Sequence, residues 1–299
     1  MEPFKPFPQC VDCLMDLAKQ AATMAGGHDS RLLADSKAAA RSILADAEQR
    51  GLTSPEAANR ILREIKRRSG ASDLYAQFKA REMAQAKKIF SELRKNMGDD
   101  LRSRINLAAL GNSLDFFTNA EEVLAEIPGQ IRRGLSFFHD DIARLESFLS
   151  NGPPSLVLYL ADNAGEVYFD QPLYDYLKDR AGRTVLVVKG GPSLNDVTRA
   201  ELRLGNLEGN FVEVGDTGTD GVGIDWDHVS REFLHLVDQA DLILAKGMAN
   251  FETIYPRDLS CPVFFLFKAK CQPIQDYLEA PGETYWALWK EGKPKGKTP

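Results

Sequence analysis

Four uninterrupted apolar runs of strand length set the tightest limit on how this chain can fold. They are Ser155–Ala161 (SLVLYLA), Thr184–Val188 (TVLVV), Asp241–Ala245 (DLILA) and Pro262–Phe267 (PVFFLF), and none shows inside–outside alternation. Stretches of helical character separate them: Gly165–Arg180, Asp196–Gly205, Trp226–Ala240 and Pro273–Ala280. A strand that is apolar on both faces needs cover on both faces, and strands alternating with helices obtain it as a parallel sheet. A further strand is predicted over Phe211–Val214. The expectation for residues 151–299 is an α/β fold with a Rossmann-like, mostly parallel sheet and helices on both faces.

Residues 1–150 carry helical signals instead, and the change follows Gly152-Pro153-Pro154. Ser54-Pro55-Glu56 reads as a helix start, with a hydroxyl cap, a proline in the first turn and an acid at the positive dipole end. Ala57, Ile61, Leu62 and Ile65 then recur at helical spacing. Ser72–Met97 places Leu74, Phe78, Met83, Ile89, Phe90 and Leu93 along one stripe, and Gly98 supplies a stop. No β-rich run is evident in this half. Two domains are therefore expected: an all-helical N-terminal domain over 1–150 and an α/β domain over 151–299 that binds metal and phosphate.

Charge and composition exclude several classes of function. The net charge is −6 with no long basic run, whereas binding a phosphate backbone needs clustered Lys and Arg, so no nucleic-acid partner is expected. The basic stretch Lys290–Lys297 is short and mixed with Gly and Pro, which suits a solvated end. No apolar run reaches the roughly 18 residues of a membrane helix. The opening MEPFKPFPQC lacks the pattern of a secretory signal, so the expected location is the cytoplasm. The four cysteines, Cys10, Cys13, Cys261 and Cys271, should there be thiols or metal ligands rather than disulfides.

Ligands of open parallel sheets bind beyond the carboxyl ends of the strands. The first predicted strand is followed by Asp162-Asn163-Ala164-Gly165-Glu166 and the second by Lys189-Gly190-Gly191-Pro192-Ser193-Leu194-Asn195-Asp196. The third leads into Gly215-Asp216-Thr217-Gly218-Thr219-Asp220-Gly221, the fourth into Lys246-Gly247-Met248-Ala249-Asn250-Phe251-Glu252, and the fifth into Lys268, Lys270 and Cys271. Carboxylate and amide oxygens are hard ligands suited to magnesium or manganese. Glycine amides, helix starts and lysines suit an anion. Together they fit a phosphoryl group with an in-line path for water. Asp162 and Asp196 could instead be helix caps, a reading weakened by their occurrence on two strand ends beside an Asn and a Gly-Gly pair.

The strings DNAGEVYFD (Asp162–Asp170), VKGGPSLNDVT (Val188–Thr198), ADLILAKGMANFET (Ala240–Thr253) and FKAKC (Phe267–Cys271) resemble the damage-control phosphatases, formerly called domain of unknown function 89. GNSLDF (Gly111–Phe116) is similar to that family's GN-x-(I/L)-D element, and Cys10-Val-Asp-Cys13 with Lys270-Cys271 resembles the CxxC…KC signature of its subfamily I. The resemblance runs from about Cys10 to Cys271. It implies a helical region packed on a Rossmann-like domain and a divalent metal (manganese, magnesium, cobalt or nickel) on Asp162, Asn163 and Asp196. It implies that Lys246, Gly247 and Asn250 contact phosphate and that Lys268 lies on the substrate side. It implies a catalytic group of Asp162, Asn163, Asp196 and Lys246 acting on sugar phosphates and related, often damaged, metabolites. Glu252, Gly190 and Asn112 complete the candidate phosphate and substrate contacts; the resemblance places Gly111, Asn112 and Asp115 under the site, whereas Gly111-Asn112 could instead simply end a helix. One departure is Asp220-Gly221-Val222-Gly223-Ile224, where a Pro-Gly pair is common in the family; it leaves the substrate open.

The expected role of Lys246 is to stabilise charge on the transferred group. Glu166, Asp216 and Asp220 are candidates to activate water, and a covalent aspartyl phosphate on Asp162 is a further route. Cys10 and Cys13 lie one helical turn apart. With Cys271 they offer either a soft-metal site such as zinc or buried thiols tying the first helix to the sheet domain. His28, His139, His228 and His235 show no ligand spacing. Trp286 and Trp289 are expected to pack the C-terminal segment on the body. Three rival readings remain. Asp225-Trp226-Asp227-His228-Val229 fits a bare haloacid-dehalogenase pattern, but a glycine-rich stretch precedes it. A non-catalytic nucleotide or sugar-phosphate binder lacks both usual glycine loops. A transferase using the same metal site is the third alternative. Oligomeric state cannot be read from the sequence.

Overall fold

In a computed structural model, residues 8–27, 29–96, 98–112 and 134–293 are described. Three helices open the chain: α1 (Pro8–Gly26), α2 (Ser30–Arg50) and α3 (Ser54–Ser69). Asp29 caps α2, its carboxylate accepting from the amides of Arg31 and Leu32. The cap of α3 is Thr53, one residue before the expected serine. Its hydroxyl accepts from the Glu56 amide, and Glu56 reaches back to the Thr53 amide at 2.6 Å. This reciprocal box satisfies two otherwise orphaned donors and leaves Pro55 in the first turn. The apolar faces of the three helices close on each other through Leu14, Ala18, Ala40, Leu44, Ile61 and Ile65.

The α/β part confirms the expected class. Seven strands form one sheet in the order β1-β7-β6-β5-β2-β3-β4. In chain order these are β1 (Phe137–Asp140), β2 (Leu156–Leu160), β3 (Arg183–Val188), β4 (Val214–Asp216), β5 (Leu242–Lys246), β6 (Val263–Ala269) and β7 (Thr284–Lys290). Strands β2 to β6 run parallel, β7 is antiparallel to β6, and β1 is parallel to β7. β1 corrects the expectation that the first half holds no strand. Its four residues, FFHD, alternate half-buried and exposed at a sheet edge, too short a run to register as a periodic signal. β7 likewise corrects the picture of Trp286 and Trp289 as packing anchors alone, since both lie in a strand. Lys290 ends that strand and donates to the Tyr255 carbonyl at 2.6 Å. The stretch read as a solvated end is therefore ordered through Lys293, and the rest of it lies outside the described residues.

The helices of this part are α4 (Ala76–Leu93), α5 (Leu101–Gly111), α6 (Ile142–Ser150), α7 (Val167–Lys178), α8 (Arg199–Leu204), α9 (Arg231–Gln239), α10 (Met248–Ile254) and α11 (Gln272–Tyr277). The central strands bury both faces because alternate residues feed two cores. Val157, Tyr159, Leu186, Leu244 and Leu266 meet α4 to α7 on one side. Leu158, Val185, Ile243 and Phe265 meet α9 and α10 on the other. Helices α4 and α5 thus pack on the sheet as part of its first covering layer. The strand expected at Phe211–Val214 begins only at Val214, because Phe211 turns into the core against Tyr174 with ring centroids 4.9 Å apart. No described helix is long and apolar enough to cross a membrane.

Candidate active site

The strand ends converge as the topology requires. The loop after β2 and the loop after β3 are stitched by backbone. Asn163 and Asp196 form an isolated antiparallel bridge, the Val197 amide donates to the Asp162 carbonyl at 2.9 Å, and the Ala164 amide donates to the Asn195 carbonyl at 2.8 Å. This pairing carries Asp162, Asn163 and Asp196 to one place at the junction of two parallel strands. Asp196 is buried, while Asp162 and Asn163 are half-buried and form the accessible side of the cluster. The next strand adds a tight turn. Gly247 stands at φ 81°, and a Cβ on it would lie 2.0 Å from Asp162 Oδ2.

Hydrogen bonds fix the orientation of the acids. Asn112, at the end of α5, donates to Asp162 Oδ2 at 2.9 Å and to Glu166 Oε1 at 2.7 Å. The Asn163 amide also donates to Asp162 Oδ2, at 3.3 Å, and makes a short contact to Glu166 Oε1. With its nitrogen so engaged, the remaining ligating atom of the Asn163 side chain is its amide oxygen. Lys268 holds Asn112 through its backbone amide, 3.3 Å from Oδ1, and the Lys270 ammonium donates to the Asn112 carbonyl. Burial raises the Asp162 carboxyl well above the ordinary carboxylate range, and the charges of Glu166 and Asp196 raise it further. Burial likewise pushes Asp196 up to about 6, against the pull of Lys189, whose ammonium lies 3.4 Å away. Glu82 of α4 is pushed up to about 8 by burial and by Glu166; Asn195 donates to it at 3.4 Å. Acids held this way gain from a cation brought between them. Two carboxylates and an amide oxygen form a hard donor set, so Asp162, Asn163 and Asp196 fit a divalent ion. Among the described residues, the Ser193 hydroxyl and Asn250 Oδ1 are buried near this rim without a hydrogen-bond partner.

The fold that carries this site is similar to that of a solved protein, and the sequence has known relatives. The model of the damage-control phosphatase ARMT1-like domain matches residues 7–284. The chain belongs to this family. A damage-control phosphatase from Archaeoglobus fulgidus is 30% identical over 275 residues, covering 89% of this chain and 93% of that protein. One from Pyrococcus horikoshii is 29% identical, covering 91% and 94%. The crystal structure of the Pyrococcus horikoshii family protein superposes with a TM-score of 0.87 at 27% identity, covering 97% of this chain and all of that one. An Arabidopsis thaliana damage-control phosphatase is 24% identical over 261 residues.

Within this damage-control phosphatase fold several expected roles need correcting. Lys246 is fully buried. Its ammonium donates to Asp170 Oδ1 at 2.5 Å, to Glu166 Oε2 at 3.1 Å and to the Ala108 carbonyl at 3.0 Å. An ammonium has three donors, so none remains for a phosphoryl group, and Lys246 neutralises the acids behind the site instead. Asn250 is a tie as well: its nitrogen donates to the Ala161 and Lys246 carbonyls at 3.2 and 2.8 Å. The Gly190 amide is taken by the Thr219 carbonyl at 3.0 Å, and a Cβ there would meet the Gly218 backbone at 2.6 Å. Close loop packing rather than an anion explains that glycine. The Lys268 ammonium pairs with Glu283, and Glu252 faces the cysteines rather than the acids.

Of the three water-activation candidates, Asp216 pairs with Arg199 at 3.1 Å, and Asp220 pairs with Lys66 at 2.7 Å and Arg63 at 3.2 Å. Only Glu166 lies with the acids. Asp225 is held by Arg63 at 2.6 Å and by His228, and no strand precedes it directly. His139 pairs with Asp141 at 2.8 Å, while Asp115 and His28 lie outside the described residues. Among the described residues no three His, Cys, Asp or Glu side chains are arranged to hold a metal; Cys10, Cys13 and Cys271 line one cavity together. Sequence reasoning missed Asp170, Lys189 and Glu82. Asp170 had a signal, lying four residues after Glu166 on one helix face. Lys189 opens the loop after β3, but Glu82 sits mid-stripe in an ordinary amphipathic helix and had none.

Proposed function

We propose that the chain is a divalent-metal-dependent phosphatase of small phosphorylated metabolites, sugar phosphates among them, acting in metabolite damage control. The observation that carries this reading is the Asn163–Asp196 bridge, which brings two acids and an amide from adjacent strand ends onto one accessible spot. Family membership supports the phosphatase class. Asp162, Asn163 and Asp196 would hold the ion, with manganese, magnesium, cobalt or nickel all compatible with oxygen ligands. The bound ion supplies Lewis-acid charge against a phosphoryl oxygen.

The chain's own groups do the rest. Asn112 and Asn163 turn their amide hydrogens toward Asp162 and Glu166, which keeps the two carboxyl groups in register. Lys246 and Lys189 offset the negative charge from behind without entering the site. Of the three candidates to take a proton from the attacking water, Glu166 is the one that lies with the acids. A matrix of divalent ions against phosphate esters, read as phosphate release, tests the proposal. Activity should require an added ion. Asp162→Ala and Asp196→Ala should each abolish release while circular dichroism keeps the wild-type spectrum. Wild-type turnover in either variant, or equal release with chelator present, sinks it.

A further inference from the structure

The bundle of α1 to α3 has its own apolar core, yet Leu194 from the loop after β3 and Val222 from the loop after β4 pack into it. Leu194 stands two residues before Asp196 and is held at φ 45°. That left-handed backbone is disfavoured for a residue with a side chain, and it persists where the surroundings over-determine it. Polar contacts from α3 reach the same two loops. The Lys66 ammonium donates to the Pro192 carbonyl and, at 2.7 Å, to Asp220 Oδ2. Arg63 donates to Asp220 Oδ1 at 3.2 Å and to Asp225 Oδ2 at 2.6 Å. Asn59 Oδ1 accepts from the Val222 amide at 2.6 Å. The next residue, Gly223, turns its carbonyl onto the buried ammonium of Lys189, which lies 3.4 Å from Asp196 Oδ2. Pro192 leads into the turn closed by the Asp196 amide on the Ser193 carbonyl at 2.9 Å. Two chains of contact thus run from α3 to Asp196. One follows the loop after β3, and the other crosses the loop after β4 and Lys189.

We infer that α3 positions Asp196 for the divalent ion, with Lys66 and the packed Leu194 holding the loop after β3 in its ion-binding conformation. The inference rests on the metal reading above and names what sets the affinity of that site. Lys66 and Leu194 are positioning residues that act through the loop. A loop ordered in advance leaves less for the ion to order. Without the clamp, the apparent affinity falls in proportion to the fraction of molecules whose loop is already set.

The test reads manganese binding to the whole chain directly, from the electron paramagnetic resonance signal of the free ion. Lys66→Met removes both donors of the clamp and leaves Asp220 paired with Arg63. Leu194→Ala removes packing without touching a charge. Each should raise the dissociation constant at least about fivefold, the low end of coupling between linked sites, with the circular dichroism spectrum unchanged. Arg67→Met takes a cation from the same helix, one that pairs with Glu64 within it, and should bind manganese as wild type does. In phosphate release the loss should appear in the half-saturating manganese concentration rather than in kcat at saturating manganese. A general loss of stability would not produce that split. Should Lys66→Met fail to fold, Leu194→Ala decides. A wild-type dissociation constant in either folded variant, a loss confined to kcat, or an equal loss in Arg67→Met would each overturn the inference and leave the metal site standing. Manganese bound equally by wild type and Asp196→Ala, or by neither, would remove the metal reading as well.

Discussion

The Asp162 carboxylate lies against the bare Cα of Gly247, so closely that a Cβ at position 247 would sit 2.0 Å from Oδ2 and 2.2 Å from the carboxyl carbon. Gly247 also holds φ 81° and ψ 161°, a region open essentially to glycine alone. Gly247→Ala should therefore fail twice. The backbone strain should cost about 1–3 kcal/mol, seen as a lower midpoint in urea unfolding. The displaced carboxylate should cut phosphate release by on the order of 10²-fold, since a shift of about 1 Å is enough for that. A variant with wild-type kcat/KM would show that Asp162 need not occupy its observed position.

Lys246 makes a second, opposite kind of prediction. Its ammonium pairs with both Asp170 and Glu166, all three groups being buried. Asp170 is pushed up to about 6 by burial even with that cation present. Removing one member of a buried ion pair costs about 3–5 kcal/mol, because the partner charge is stranded. Lys246→Met should lose about that much in urea unfolding, and Asp170→Asn should recover part of it in the double variant. A lysine acting on the transferred phosphoryl group would behave differently: its loss would leave stability untouched and lower kcat alone.

These two residues mark what sequence could and could not deliver. The parallel sheet was legible because β2, β3, β5 and β6 are buried on both faces, and burial on both faces writes itself as an unbroken apolar run. β1 lies at the sheet edge, and its four residues, alternately half-buried and exposed, carried no comparable signal; β7 buries Trp286 to Trp289 on both faces, and its apolar run was read as packing rather than as a strand. The location of the candidate site was legible from polar residues clustered at strand ends. The direction of each side chain was not. Lys246 follows four apolar strand residues exactly as Lys189 follows β3, yet which way an ammonium points depends on Glu166, Asp170 and Ala108, brought in by other elements. The grip of α3 on the loop after β4, through Arg63, Lys66 and Asn59, was equally out of reach, because it joins positions more than 150 residues apart.

Glu82 allows a test with a definite sign. Its ordinary value is 4.5, and burial with the nearby Glu166 charge pushes it up to about 8. A carboxyl whose folded value is raised binds its proton more tightly in the folded chain. Its contribution is full below about 4.5 and is lost as pH rises through about 8. The protein without added metal should accordingly lose thermal stability across that window. Glu82→Gln, which cannot ionise, should flatten this part of the profile and melt higher than wild type at pH 9. Saturating manganese should oppose the loss in the wild-type protein if the ion binds the neighbouring acids. A Glu82→Gln profile parallel to wild type would mean that Glu82 does not hold its proton.

Asn112 is the final case, and it separates geometry from charge. Its amide nitrogen serves Asp162 at 2.9 Å and Glu166 at 2.7 Å, while Oδ1 accepts from the Lys268 amide at 3.3 Å. Those partners leave one orientation for the side chain: donor toward the acids, acceptor toward β6. Asn112→Asp preserves the volume but turns the donor into a third buried acid. Above neutral pH the introduced carboxyl repels Asp162 and Glu166, and stability should fall. At pH 5 the same carboxyl, if protonated, can donate as the amide did, so the deficit should shrink. The manganese concentration for half-maximal phosphate release should rise by roughly 10–100-fold, as when a group orienting a metal ligand is lost. If half-maximal manganese and the pH dependence of melting both match wild type, Asn112 does not orient the acids, and the hydrogen bonds that define this site have no functional weight.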